Sequence, residues 1–448
     1  MSSHNNNTEP TSALGRALSR VATIEPRELP AVVAAFLLFF FMWAGYFAVR
    51  PVRETIGTII GRDQTADLWI FTSIGSILLI PLYGWIVAKF RRTAFLPAMY
   101  AFVAIVLAIT GFALRGDQID PLVGKFFYVF ISVVNLFLLS IFWSFLLELF
   151  DSGQSKRLFG VIAAGGSAGA LAGPFVSDMT VETIGTSGIL ILGAALFVAA
   201  IVCQRALLSM WQERAAAGQR GQERPLGGNV FAGITLILKS PYILGIALFV
   251  FFISTVNTLL YFEQLRLVEV NYPEITDRTR IFARFDWIVQ TLTVLSQIFL
   301  TGRIARRFGV IALVTAVPLV MVGGFVALAA TGTLTVLALV WIGRRAMEYA
   351  FVRPGREMLW GPLDKETKYK AKNTVDVPVY RGSDAIVAQV NKAMEGAGIG
   401  PAAIAMLGAG VALVWAVVGF WLGKKYEAFA ATNGERNEVA AKAGESAG

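Results

Sequence analysis

The 448-residue chain holds one cysteine and one histidine. Cys203 lies inside an apolar run and His4 in a polar opening stretch, so a disulfide framework, a Cys/His metal site and a histidine-based triad all lack their material. No G-x-x-x-x-G-K-[ST] motif occurs, which leaves no phosphate loop and no ATP-hydrolysing engine. Catalysis of these kinds is excluded, and neither enzyme activity nor a cofactor is expected. Charge is also scarce, at 15% of residues, whereas 56% are hydrophobic and 33 are Phe. Apolar runs of about 20 residues, such as "AVVAAFLLFFFMWAGYF", match the length a helix needs to cross hydrocarbon. The chain reads as an all-α membrane protein. Its polar opening and the length of the first apolar run argue against a cleaved signal segment.

Apolar stretches fall at 31–50, 66–88, 94–113, 125–149, 158–177, 187–208, 241–262, 281–302, 309–331, 334–360, 374–394 and 401–422, predicting about twelve transmembrane helices. With both termini cytoplasmic, most of the 39 Lys and Arg fall on the inner side, as the positive-inside rule requires. A bacterial inner membrane is the expected location. A basic face toward anionic lipid accounts for the net charge of +9, so no nucleic-acid partner is needed.

The one long polar interruption, 209–240, reads as a cytoplasmic linker between two halves, 29–208 and 241–424, flanked by cytoplasmic tails 1–28 and 425–448. A shared offset supports duplication. "YFAVRPVRE" begins at Tyr46 and "YFEQLRLVE" at Tyr261, and the pair Arg91/Arg92 recurs as Arg306/Arg307. Two six-helix repeats joined this way are the layout of the major facilitator fold, in which substrate binds between the halves near mid-membrane. A monomer is expected.

Ionisable residues at bilayer depth are costly, at least about 2.5 kcal/mol each, so each should be paired, wet or working. Arg50, Arg53 and Glu54 close the first helix. Arg344, Arg345 and Glu348 lie near half depth in the tenth, and Arg353, Arg356 and Glu357 follow. Arg284 and Asp286 open the eighth helix; Arg381 and Asp384 sit in the eleventh. Arg50 with Glu54, Arg344 with Glu348 and Arg353 with Glu357 stand at i,i+4 and are expected to pair. Arg53, Arg345, Arg356 and Arg381 have no partner at that spacing, and an excess of guanidinium suits a small anionic substrate, since its planar fork binds phosphate or carboxylate bidentately. Ser132, Asn135, Asn257 and Tyr261 on the fourth and seventh helices are further candidate contacts; each could equally be glue between helices. Gly165, Gly169 and Gly173, four apart and followed by Pro174, predict close packing of the fifth helix.

Two blocks carry a family resemblance. "FWSFLLELFDSGQSKRLFGVIAAGGSAGALAGP" and "REMLWGPLDKETKYKAKNTVDVPVYRGSDA" resemble the nucleotide-exchanging ATP/ADP antiporter family of bacteria and plastids, a branch of the major facilitator fold. In the second block the matching positions are Arg356, Glu357, Met358, Pro362, Leu363, Asp364, Lys368, Lys370, Lys372, Asp376, Arg381 and Gly382. "YFAVRPVRE" extends the likeness, with Arg50 and Arg53 at the family's basic positions. The resemblance implies exchange of one nucleotide for another without hydrolysis.

The expected substrate contacts are therefore Arg50, Arg53, Asn135, Asn257, Tyr261, Arg344, Arg345, Glu348, Arg353, Arg356 and Arg381. Gating is expected of Glu54, Glu357, Asp364, Lys368, Lys370, Asp376 and Asp384, with 364–372 forming a cytoplasmic loop between the tenth and eleventh helices. Two other readings stand beside this one. A proton-coupled carrier of another organic anion would use Glu54, Glu348 or Asp384 as its proton site, and a membrane sensor or scaffold would bind without transport.

Overall fold

The structure is a computed structural model and describes residues 24–90, 92–114, 120–215 and 230–445. The tail to residue 23 and the linker's 216–229 lie outside the described residues. Four helices come first: α1 (Leu29–Ile60), α2 (Arg62–Lys89), α3 (Arg92–Ala113) and α4 (Pro121–Leu149). Asp120 caps α4, its carboxylate accepting from the backbone N–H groups of Leu122 and Val123, with Pro121 in the first turn where no N–H is missed.

A helical run over Ser152–Ala215 is two spans, α5 and α6, because Gly185 breaks it with φ 70° and ψ 173°, a conformation that only glycine adopts readily. The linker contributes a short helix, Val230–Lys239, before α7 (Pro241–Asn271). The run formed by Ile275–Ser296, the π turn Gln297–Thr301 and Gly302–Thr331 likewise divides at Gly309, φ 68°, into α8 and α9. Next, α10 joins Leu334–Met347 to Arg353–Leu359 through a π turn, Glu348–Val352. A third π turn, Val375–Val379, links Lys365–Thr374 to Tyr380–Gly396 in α11, and α12 spans Pro401–Glu445.

The expected count of twelve spans holds, although eight helical runs pass as membrane-length and apolar among the described residues. One of those runs contains both α5 and α6. Of the three spans that fall short, α10 and α11 are divided by π turns into helical pieces of 14 and 7 and of 10 and 17 residues, and α8 carries Asp277, Arg278, Arg280, Arg284 and Asp286 in Ile275–Ser296. The segment 364–372, expected as a loop, is instead the start of α11. Asp364 is its N-cap, accepting from the Thr367 N–H at 2.9 Å, which satisfies a donor the helix start would leave open. Lys368 and Lys370 accordingly lie on a helix. The linker is also partly helical, since Val230–Lys239 packs against Lys365–Thr374.

Two compact units emerge. Of the described residues, unit 1 takes those within Met1–Ile56, Leu79–Arg224 and Glu274–Trp287, and unit 2 those within Gly57–Leu78, Pro225–Pro273 and Ile288–Gly448. Within unit 1, α5 lies directly on α1. A Cβ at Gly165, Gly169 or Gly173 would run into the carbonyl oxygen of Phe36, Phe40 or Ala44, and Ser177 donates to the carbonyl of Ala48 at 2.9 Å. Steps of four on one helix meet steps of four on the other, the small-residue packing expected for this stripe. Within unit 2, Gly419 and Gly423 of α12 lie as closely against Val314 and Ile311 of α9.

Candidate substrate site

In unit 1 the end of α1 gathers the first group. Pro51 removes one helical N–H, and Thr55 donates to the Pro51 carbonyl at 3.1 Å. Arg50 sits 3.8 Å from Glu54, the expected i,i+4 pair, and also donates to Asp286 of α8 at 3.3 Å. Arg53 contacts the adjacent Glu54, donates to Ser132 of α4 at 3.1 Å and lies over the Tyr128 ring at 5.4 Å. Asn135, one helical turn along α4, donates to the Tyr46 hydroxyl at 3.1 Å, while its buried Oδ1 has no hydrogen-bond partner among the described residues.

In unit 2, α10 builds the second group. Arg344 is 2% exposed; it donates to Glu348 at 2.6 Å and to Asn257 of α7 at 2.8 Å. The Trp341 ring carries Arg344 at 5.4 Å and Arg345 at 5.6 Å. Tyr261 stands between Trp69 and Trp341, at 4.9 and 6.5 Å. The expected Arg353–Glu357 pair does not form. Through the π turn Glu348–Val352, whose bonds run i to i+5, Arg353 comes beneath Glu348 at 3.7 Å instead. Glu357 turns to Lys372 and stands 3.8 Å from Arg356, which is 3.4 Å from Asp376.

Arg53 and Arg381 were expected to lack a helical partner, and both have one at closer spacing. Arg53 meets Glu54 next to it in sequence, and Arg381 meets Asp384 three residues on, at 3.6 Å. Asp384, 5% exposed, also accepts from Ser254 of α7. The expected residues thus fall into a group on α1 and α4, a group on α7 and α10, and two smaller ones, Arg356 with Glu357 and Asp376 and Arg381 with Asp384.

Sequence reasoning missed Asp178 on α5. It is 1% exposed and accepts from Arg280, from Arg284 at 3.1 Å and from the Trp287 indole at 2.9 Å. A lone Asp directly after the apolar fifth stretch, 158–177, was the available signal. Trp69 and Trp341 were also passed over, since single aromatics in apolar runs carry no pattern.

An all-helical, multi-pass architecture among the described residues, with Arg344 and Arg345 of α10 buried and Arg50 and Arg53 of α1 partly so, is that of a membrane transporter. The family model described as Major Facilitator Superfamily matches residues 32–351, and the chain belongs to that superfamily. It is similar to ADP,ATP carrier protein 1 of Chlamydia trachomatis serovar D, 23% identical over 439 residues that cover 82% of each chain. ADP,ATP carrier protein 2 of Chlamydia pneumoniae is 24% identical over 506 residues, 93% of this chain and 92% of that one. Among solved structures, a bacterial homologue of the iron transporter ferroportin in an inward-facing state aligns with TM-score 0.63 and 14% identity, covering 88% of this chain and 99% of that one. The nucleoside transporter NupG aligns with TM-score 0.60 and 16% identity, covering 89% and 99%. These structural likenesses bear on the fold alone.

Proposed function

We propose that this transporter is an antiporter of the bacterial inner membrane, both termini cytoplasmic, exchanging nucleotides or related phosphorylated anions by alternating access. The observation that carries the reading is Glu348: two guanidinium groups, Arg344 and Arg353, share this one carboxylate inside α10. A second anion completes the charge balance there, and a phosphoryl group matches the planar fork of arginine. The names of the chlamydial relatives supply the nucleotide. Proteoliposomes should take up labelled ADP when loaded with ADP and not when empty, and Arg344→Ala, Arg356→Ala and Arg381→Ala should each reduce that uptake. Wild-type rates in all three variants would remove these residues from the mechanism.

One observation favours a proton-coupled carrier of another organic anion. Asp384 is buried, and the guanidinium of Arg381 stands 3.6 Å from it. Uptake into empty vesicles driven by a proton gradient would establish that reading in place of exchange.

A further inference from the structure

Asp286 is 5% exposed and lies near the start of α8, within unit 1. Its carboxylate accepts from Arg50 Nη1 at 3.3 Å, while Arg50 Nε faces Glu54 at 3.8 Å. Both donor edges of the Arg50 fork are therefore turned to carboxylates. Around them stand two guanidinium groups, Arg50 and Arg53, and two carboxylates, Glu54 and Asp286. An anion arriving beside Asp286 and Glu54 meets like charge. Removing Asp286 opens that edge of Arg50 and takes away one negative charge beside it. The same ion pair ties α8 to α1. A few residues away, the hydroxyls of Thr55 on α1 and Thr279 on α8 lie 2.8 Å apart.

We propose that Asp286 is an internal stand-in for the substrate's anionic group on Arg50. A phosphate or carboxylate takes Arg50 only by displacing Asp286, and that displacement loosens α8 from α1. The empty protein re-forms the pair, which holds α8 in place and opposes reorientation without cargo. This rests on the anion-exchange reading above and adds a residue that couples occupancy to helix movement.

The test uses labelled ADP and the full chain in proteoliposomes. Asp286→Asn should lower the half-saturation concentration for ADP about tenfold, the worth of a charge-assisted hydrogen bond no longer competed for. The same variant should let ADP leak from loaded vesicles with no nucleotide outside, and Asp286→Glu should restore both properties. A merely structural residue would weaken binding when replaced, the opposite sign. A Thr55→Cys/Thr279→Cys pair in a Cys203→Ser background gives a second readout that does not depend on transport. Its disulfide should form more slowly when Asp286→Asn is added, and more slowly when ADP is present. Unchanged half-saturation and no leak in Asp286→Asn, or an unchanged cross-linking rate in that variant, would overturn the inference. A wild-type protein inert to ADP, with cross-linking still slowed by Asp286→Asn, would overturn the nucleotide reading and leave the tie standing.

Discussion

Arg353 reaches back five residues to Glu348, at 3.7 Å, rather than forward four to Glu357. The π turn Glu348–Val352 rotates the rest of α10 by the extra residue and delivers this second guanidinium to a carboxylate already held by Arg344. A sequence register fixed at 3.6 residues per turn points to the wrong acid, whereas the π turn sets two guanidinium groups on one carboxylate.

Glu348→Gln should leave Arg344, 2% exposed, without its carboxylate. Breaking a buried pair from one side costs about 3–5 kcal/mol, whereas removing both charges is often near neutral. Thermal unfolding in detergent should therefore show a large loss for Glu348→Gln and substantial recovery in the double variant Glu348→Gln/Arg344→Met. The double variant should remain impaired in anion uptake, which separates stability from binding.

Asp178 tests the tie between α5 and α8. Its carboxylate is buried, but Arg280 and Arg284 are 33% and 42% exposed, so water meets much of their charge once the acid is lost. Asp178→Ala should cost about 1.5–3 kcal/mol, the worth of charge-assisted hydrogen bonds and less than a pair whose surviving charge stays buried, read as a lowered melting midpoint. Asp178→Asn should lose less, because an amide oxygen still accepts from the Trp287 indole.

The glycine stripe offers a contrast within one helix. Gly169 faces the Phe40 backbone, while nothing lies within 4 Å of a Cβ added at Gly160. Gly169→Val should push α5 off α1 and abolish recovery of monodisperse protein. Gly160→Ala should stabilise by roughly 0.5–1 kcal/mol, the helix-propensity difference alone. Size-exclusion profiles and melting curves of the two variants would check both outcomes.

How far the sequence was legible follows from the range of each interaction. The spans, the small-residue stripe and the Arg50–Glu54 and Arg344–Glu348 pairs depend on local periodicity, and all can be read from spacing along one helix. Asp286 on Arg50 and Asp178 on Arg284 join residues 236 and 106 positions apart, which no local pattern encodes. The helical start of α11 was hidden by its polarity: Lys365–Thr374 has no apolar run, yet Asp364 caps it and the linker helix packs on it. Periodicity also hides π turns, since one inserted residue shifts the register without altering composition.

Arg62 and Glu395 test the last relationship, an ion pair of 2.6 Å between α2 and α11 within unit 2. It lines a cavity of about 530 Å³ whose walls also include Glu263, Arg266 and Lys392 and none of the expected substrate contacts. The two side chains are 29% and 22% exposed, so the pair should contribute only about 1 kcal/mol. Arg62→Glu or Glu395→Arg alone should lower the melting midpoint slightly. The double reversal should recover only part of the loss, because Asn391 donates its amide to Glu395 at 2.8 Å and cannot offer that donor to an arginine, while Arg266 in the same cavity would repel one. At about 1 M salt, where the screening length falls to about 3 Å, the differences among the four proteins should shrink. Melts at low and high ionic strength measure this directly, and differences that persist undiminished in salt would mean that packing, not charge, joins these two helices.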